Sequence, residues 1–129
     1  MLELRRENFR QHVGRDDSIA LVECWAPGCG ACARFDPVFE AAARAHPRHA
    51  FARMNVVTDE RLGEYFEVEH TPTLMLYRDG LLLLKKPGNF SREELEDIIQ
   101  QAESLDMDLV RADIESTGSE ENNERKRDE

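Results

Sequence analysis

The sequence predicts an α/β domain with a mixed central sheet, helices on both of its faces, and the element order βαβαβαββα. Three observations carry that prediction. Ile19–Trp25 is an almost unbroken apolar run, as a strand covered on both sides requires. Apolar residues spaced three to four apart separate it from the next strand-like run at 51–57, an alternation that belongs to parallel crossovers. Two later apolar runs, 73–77 and 81–85, flank Arg78-Asp79-Gly80, and an Asp-Gly pair between apolar runs is a strong hairpin signal. With 129 residues and 40% hydrophobic content, the chain supports one domain with a real core.

In chain order, residues 2–5 read as a short edge strand and 7–13 as a short helix closed by Gly14. The central strand Ile19–Trp25 holds one charged intruder, Glu23. From about Cys32 to His46, Phe35, Val38, Phe39 and Ala42 recur at helical spacing, and Pro37 should kink that helix by removing a hydrogen bond. A strand at 51–57 and a short helix at 60–66 follow, then the hairpin. Ser91 with Glu94 three residues on forms a capping box that opens the last helix. Its stripe of Leu95, Ile98, Ala102, Leu105, Leu109 and Ala112 outlasts the domain, so the helix is expected to run long. Residues 116–129, rich in Ser, Glu, Asn, Arg and Lys without aromatics, are expected to be disordered. The reading is therefore a domain over 1–105 and an acidic extension over 106–129.

The chemistry lies where the central strand gives way to the helix, at Cys29-Gly30-Ala31-Cys32. A thiol at the first turn of a helix meets unpaired N–H groups and the positive end of the macrodipole, which favour its thiolate. Cys29 is the candidate nucleophile. Cys32, one helical turn on, can attack a mixed disulfide on Cys29 and release the partner reduced. Two other readings compete. Cys29, Cys32, His46 and His49 give C-x2-C-x13-H-x2-H, superficially a zinc finger, but the histidine spacing is short and the helical apolar residues between need a core that a small finger lacks. A structural disulfide is the other, and such bridges are rare in reducing compartments.

Charge and cysteine count bound partners and compartment. A net charge of −10 argues against nonspecific nucleic-acid binding, which needs clustered Lys and Arg. The unevenness is marked: residues 106–129 hold nine acidic and four basic side chains, a net −5. The charged first eleven residues lack the apolar region of a secretory signal and no stretch approaches a membrane span, so the expected address is the cytoplasm. Three cysteines leave an odd one after pairing; Cys24 points opposite Glu23 along the strand and reads as a buried inert thiol.

Trp25-Ala26-Pro27-Gly28-Cys29-Gly30-Ala31-Cys32 resembles the active-site motif of the thioredoxin family, Thr71-Pro72-Thr73 resembles its cis-proline segment, and Gly88 falls where the family carries a late glycine. With the element order and Pro37, the resemblance covers residues 2 to about 105. It implies a thioredoxin fold and a thiol-disulfide oxidoreductase that reduces protein disulfides, with Cys29 attacking and Cys32 resolving. It further implies that Thr71 and Pro72 present backbone to an extended substrate, with Trp25, Gly28 and Gly88 on the same surface. No cofactor is implied beyond the Cys29–Cys32 disulfide, and the expected partners are disulfide-bearing clients and a thioredoxin reductase acting on a monomer. Glu23 matches the family's buried carboxylate, with Glu as in protein disulfide isomerase domains; desolvation should raise its pKa and suit it to take the Cys32 proton. A structural ion pair with Arg53 is the compatible plainer role. His70 and His12 read as loop and surface histidines.

Two departures from the family pattern bear on redox tuning. Gly28 replaces a tryptophan at the rim, and Ala31 replaces a proline, restoring an N–H near the Cys29 sulfur. A bond from that N–H worth about 1 kcal/mol would lift the potential roughly 20 mV above a thioredoxin-like value of about −270 mV. The rival function is a thioredoxin-fold adaptor or co-chaperone that binds partners through its C-terminal helix and keeps the CxxC as a redox switch.

Overall fold

The computed structural model describes residues 1–58 and 60–115. Among the described residues, nine elements precede Leu105: β1 (Leu2–Glu3), α1 (Phe9–Val13), β2 (Ile19–Trp25), α2 (Gly30–Ala45), β3 (Ala50–Asn55), α3 (Glu60–Tyr65), β4 (Thr73–Arg78), β5 (Leu81–Pro87) and α4 (Arg92–Ser104). The order βαβαβαββα is the expected one. The sheet runs β1-β3-β2-β4-β5, with β2 parallel to β3, β3 parallel to β1, and β4 antiparallel to both of its neighbours, β2 and β5.

The central strand explains its own composition. Six of its seven residues are buried, and alternate side chains feed opposite layers. Ile19 and Leu21 pack with Phe35 and Phe39 of α2 and Leu95 and Ile99 of α4. Ala20, Val22 and Cys24 pack on the other face with Val13 of α1 and Leu62 of α3. Between β4 and β5 only Asp79 and Gly80 intervene, with φ of 55° and 78°. Positive φ at both central positions is the type I′ geometry whose twist matches the strands it joins, and Asp-Gly tolerates it.

Two boundaries differ from expectation. The long helix begins at Gly30, not near Cys32, so Cys29 itself is the N-cap and its sulfur accepts the Cys32 N–H at 3.1 Å. The last helix does not run long. Ser91 and Glu94 form the capping box that opens α4, but Leu105 takes extended backbone (ψ 140°) and ends it. Asp106 then caps a separate helix, α5 (107–115), its Oδ1 accepting from the N–H groups of Asp108 and Leu109 at 3.0 and 3.3 Å. An aspartate two residues past a good helix offers the backbone a side-chain partner that competes with helix continuation. Buried Met107 and the Arg111–Asp79 ion pair hold α5 against the hairpin turn. Ile19 pairs with Arg78 beside that turn while Trp25 leads to the cysteines, so α5 lies at the end of the sheet away from Cys29. The expectation for 116–129 falls outside the described residues. No helix among the described residues is long and apolar enough to cross a membrane.

Candidate active site

Cys29 and Cys32 form a disulfide with their Cα atoms 5.2 Å apart. Their exposure is unequal: Cys29 is half-buried at the helix mouth, whereas Cys32, in the first turn, is 3% exposed. One sulfur can meet a partner and the other cannot. The donor to the Cys29 sulfur is the Cys32 N–H, not that of Ala31. Cys32 would offer that N–H whatever residue stood at 31, so the expected rise in potential from Ala31 loses its geometric basis. Gly28, at φ 78°, turns the chain into this position, and a Cβ there would meet open space; its need for glycine is conformational.

Facing the pair is the segment before β4. The Thr71–Pro72 peptide bond is cis, and the Thr71 carbonyl oxygen lies 3.5 Å from the Cys29 sulfur. Gly88, at φ 122°, donates its N–H to the Pro72 carbonyl at 2.9 Å. The Thr73 hydroxyl donates to the His70 carbonyl at 2.6 Å and fixes the turn, while the His70 side chain stays exposed. Contacts thus link Cys29, Thr71, Pro72 and Gly88 from three parts of the chain, with Pro72 buried, Cys29 and Thr71 half-buried and Gly88 exposed.

Beneath it lies a charged cluster. Glu23 is fully buried on the β2 face that α2 covers, and its Oε2 accepts from Arg53 Nε at 3.1 Å. The same guanidinium reaches Asp36 Oδ2 on α2 at 3.2 Å and Glu3 Oε1 at 3.8 Å, and lies over the Trp25 ring, 4.4 Å from its centroid. The Trp25 indole N–H points to Glu3 Oε2 at 3.4 Å. Burial, then the hydrogen bond and charge of Asp36, push the Glu23 pKa up to about 8, against the pull of Arg53. Glu23 Oε1 and Asp36 Oδ1 are each buried without a further partner, so a proton held between the two carboxyls satisfies both. Cys24, next along the strand, is pushed up to about 12, mainly by burial and then by Glu23.

A half-buried sulfur, a buried second one and the Thr71 carbonyl of a cis Thr71–Pro72 bond beside the first point to one family, and comparison with known proteins agrees. The Thioredoxin family model matches residues 1–101. The protein named "Putative thioredoxin 2" of Streptomyces coelicolor is 39% identical over 110 residues, spanning 85% of this chain and 81% of that one. The thioredoxin of Pseudomonas aeruginosa is 32% identical over 89 residues, 68% of this chain and 82% of its own. The chain belongs to the thioredoxin family. It is a thiol-disulfide oxidoreductase, working as the family does through a redox-active disulfide on disulfide substrates. Protein disulfide-isomerase A4 of Bos taurus is also similar, 35% identical over 83 residues, 61% of this chain and 13% of that longer protein.

Against the family frame, the structure gathers most of the residues singled out in the sequence. Trp25 and Glu23 are exceptions in kind, since their described contacts run to Arg53, Glu3 and Asp36, not to the disulfide. Sequence reasoning missed Asp36 and Glu3. Asp36 carried one available signal, an acid at the helix position before Pro37, which reads as a solvated charge until α2 is laid over β2. The zinc-finger arrangement, already disfavoured by its histidine spacing, is not formed: His46 caps the far end of α2, roughly 25 Å from Cys29 at 1.5 Å per residue.

Proposed function

We propose that the protein is a cytoplasmic reductase of protein disulfides, with residues 1–105 as the catalytic unit, acting as a monomer. The observation that carries the reading is the inequality of the two sulfurs: Cys29 half-buried at a helix N-cap, Cys32 enclosed behind it. In the reduced protein the Cys29 thiolate attacks one sulfur of a client disulfide, forming a mixed disulfide and expelling a client thiolate. Cys32, deprotonated with Glu23 as acceptor, then attacks the Cys29 sulfur. The Cys29–Cys32 bond closes, the second client thiolate leaves, and two electrons have passed to the client. Thr71 and Pro72 present backbone to the client strand, and Trp25, Gly28 and Gly88 shape the surrounding rim. A thioredoxin reductase would regenerate the dithiol. The buried, unpaired Cys24 beside one reducible pair fits a reducing compartment.

Dithiothreitol-driven reduction of insulin by wild type, Cys29→Ser and Cys32→Ser tests this. Cys29→Ser should lose at least about 100-fold in rate, and Cys32→Ser should accumulate a mixed disulfide with the substrate. Turnover that survives Cys29→Ser would sink the assignment of the nucleophile. A wild-type pair that cycles normally yet reduces nothing would favour the adaptor reading.

A further inference from the structure

The two histidines that the CxxC reading leaves unused come together with acidic side chains from another helix. His46 is the C-cap of α2, its N–H bonded to the Ala42 carbonyl at 3.0 Å; three residues on, the His49 N–H closes a turn on the His46 carbonyl at 3.1 Å. That turn stacks the two imidazoles, ring centroids 5.7 Å apart and planes 12° from parallel. Opposite them, Glu96 and Glu103 stand seven residues apart on α4, two turns along one face. His46 Nε2 lies 2.8 and 3.0 Å from the Glu96 carboxylate oxygens, and His49 Nε2 lies 3.5 Å from Glu103 Oε2.

We propose that His46, His49 and Glu103, with Glu96 at the rim, form a binding site for a transition-metal dication such as Zn2+. One ligand atom from each of the first three already lies within 4.8 Å of the others. Ligands around a tetrahedral zinc stand roughly 3.3 Å apart, from bond lengths near 2.0–2.1 Å. Rotation of the exposed Glu103 side chain and a small adjustment of the imidazoles cover the difference. The ligand chemistry fits: two imidazoles and a carboxylate suit zinc, and soft thiolates are not needed. Charge fits as well, since two neutral imidazoles and two carboxylates carry −2 against the metal's +2. Two stacked imidazolium rings would repel, so the ion pairs alone do not explain why both histidines occupy the same turn. The histidine side chains are only 20% and 13% exposed, which positions them before a metal arrives.

A metal at this place would clip the C-terminal end of α2 to α4 at the opposite end of the helix from the disulfide. Binding should therefore be indifferent to the cysteines, which separates this site from the finger-like pattern in the sequence. The test uses metal-free full-length protein with its disulfide intact, titrated with Zn2+ alone in competition with a chromogenic chelator. One equivalent should bind, a Cys29→Ser/Cys32→Ser protein should bind as well as wild type, and His49→Gln and Glu103→Gln should each weaken binding at least tenfold. The same variants should keep insulin reduction at the wild-type rate, showing that they fold. Zn2+ should also raise the thermal midpoint of wild type but not of His49→Gln. Absence of stoichiometric binding, binding lost with the cysteines, or binding undiminished in both His49→Gln and Glu103→Gln would each overturn the site.

Discussion

Glu23 and Cys24 are consecutive residues of the same strand, both fully buried, and burial raises the pKa of both. Their neighbours otherwise differ, although the charge of Glu23 adds to the rise at Cys24. Glu23 faces α2, with Arg53 on one carboxylate oxygen and Asp36 as a proton-sharing partner. Cys24 faces the α1 and α3 layer among Val22, Met54, Leu62 and Met75. The outcome is a carboxyl that titrates near 8 and a thiol that titrates near 12. Both groups are raised by a similar amount, so the outcome turns on where each starts, 4.5 for the carboxyl and 9.0 for the thiol: burial carries the first into the working pH range and the second out of it.

The comparison breaks most severely at Arg53. Its guanidinium contacts Glu23, Asp36 and Glu3 and covers Trp25, so Arg53→Met strands a buried carboxyl cluster. We expect a stability loss of about 3 kcal/mol at pH 9, where wild-type Glu23 is ionised, and a smaller one at pH 5, where it is protonated. The Glu23 titration should also move above 8, since Arg53 is what holds it down. Urea unfolding at the two pH values checks the first expectation. Equal losses at both would show that Arg53 acts through packing on Trp25 alone.

Substitution of Glu23 by Gln removes the titration itself. A carboxyl whose pKa is about 8 in the folded state and near 4.5 when unfolded keeps its proton longer in the folded protein. Its stabilising contribution is complete below pH 4.5, falls by up to about 1.4 kcal/mol per pH unit between 4.5 and 8, and stays flat above. In Glu23→Gln that slope should vanish. The rate of insulin reduction should lose its inflection near pH 8 and drop about tenfold or more, if Glu23 accepts the Cys32 proton. Loss of the stability slope with an unchanged rate profile would leave Glu23 as an ion-pair partner only.

The strand holding both residues was readable in the sequence because a run buried on two faces must be apolar throughout, which made Glu23 conspicuous. The Asp79-Gly80 turn and the Ser91 cap were equally legible, each being a local signature, whereas the cis bond at Thr71-Pro72 followed from the family resemblance and not from the dipeptide. Asp36 was not legible, because an acid on an amphipathic helix looks solvated until the helix lies over β2, and Glu3 meets Arg53 only through the parallel pairing of β1 with β3. The histidine turn was rightly kept apart from the cysteines, but its own neighbours were not legible for the same reason: Glu96 and Glu103 come from a helix some fifty residues later. The break at Leu105 was hidden by apolar periodicity that continues on both sides of it, since spacing registers the stripe and not the backbone between.

Asp36→Asn sharpens the comparison more gently. Burial, the largest cause of the Glu23 shift, remains, while the acidic hydrogen bond and the like charge disappear. The inflection should fall by about one pH unit from 8 and stay well above 4.5. Carbon-13 NMR of the labelled glutamate carboxyl would read this directly. An unmoved inflection would mean that desolvation alone sets the value and that no proton is shared.

The smallest effect is expected at Cys24. Valine fills nearly the same volume without a polar atom, so Cys24→Val should change stability by less than about 1 kcal/mol. Rate and pH profile should be those of wild type, because Cys24 reaches the proton network only through its backbone neighbour. In the folded oxidised protein, iodoacetamide at pH 8.5 should leave Cys24 unlabelled, and denaturant should make it react. Labelling without denaturant, or an altered pH profile in Cys24→Val, would show that the two faces of β2 are coupled and that burial on the apolar side does not isolate a thiol from the chemistry opposite.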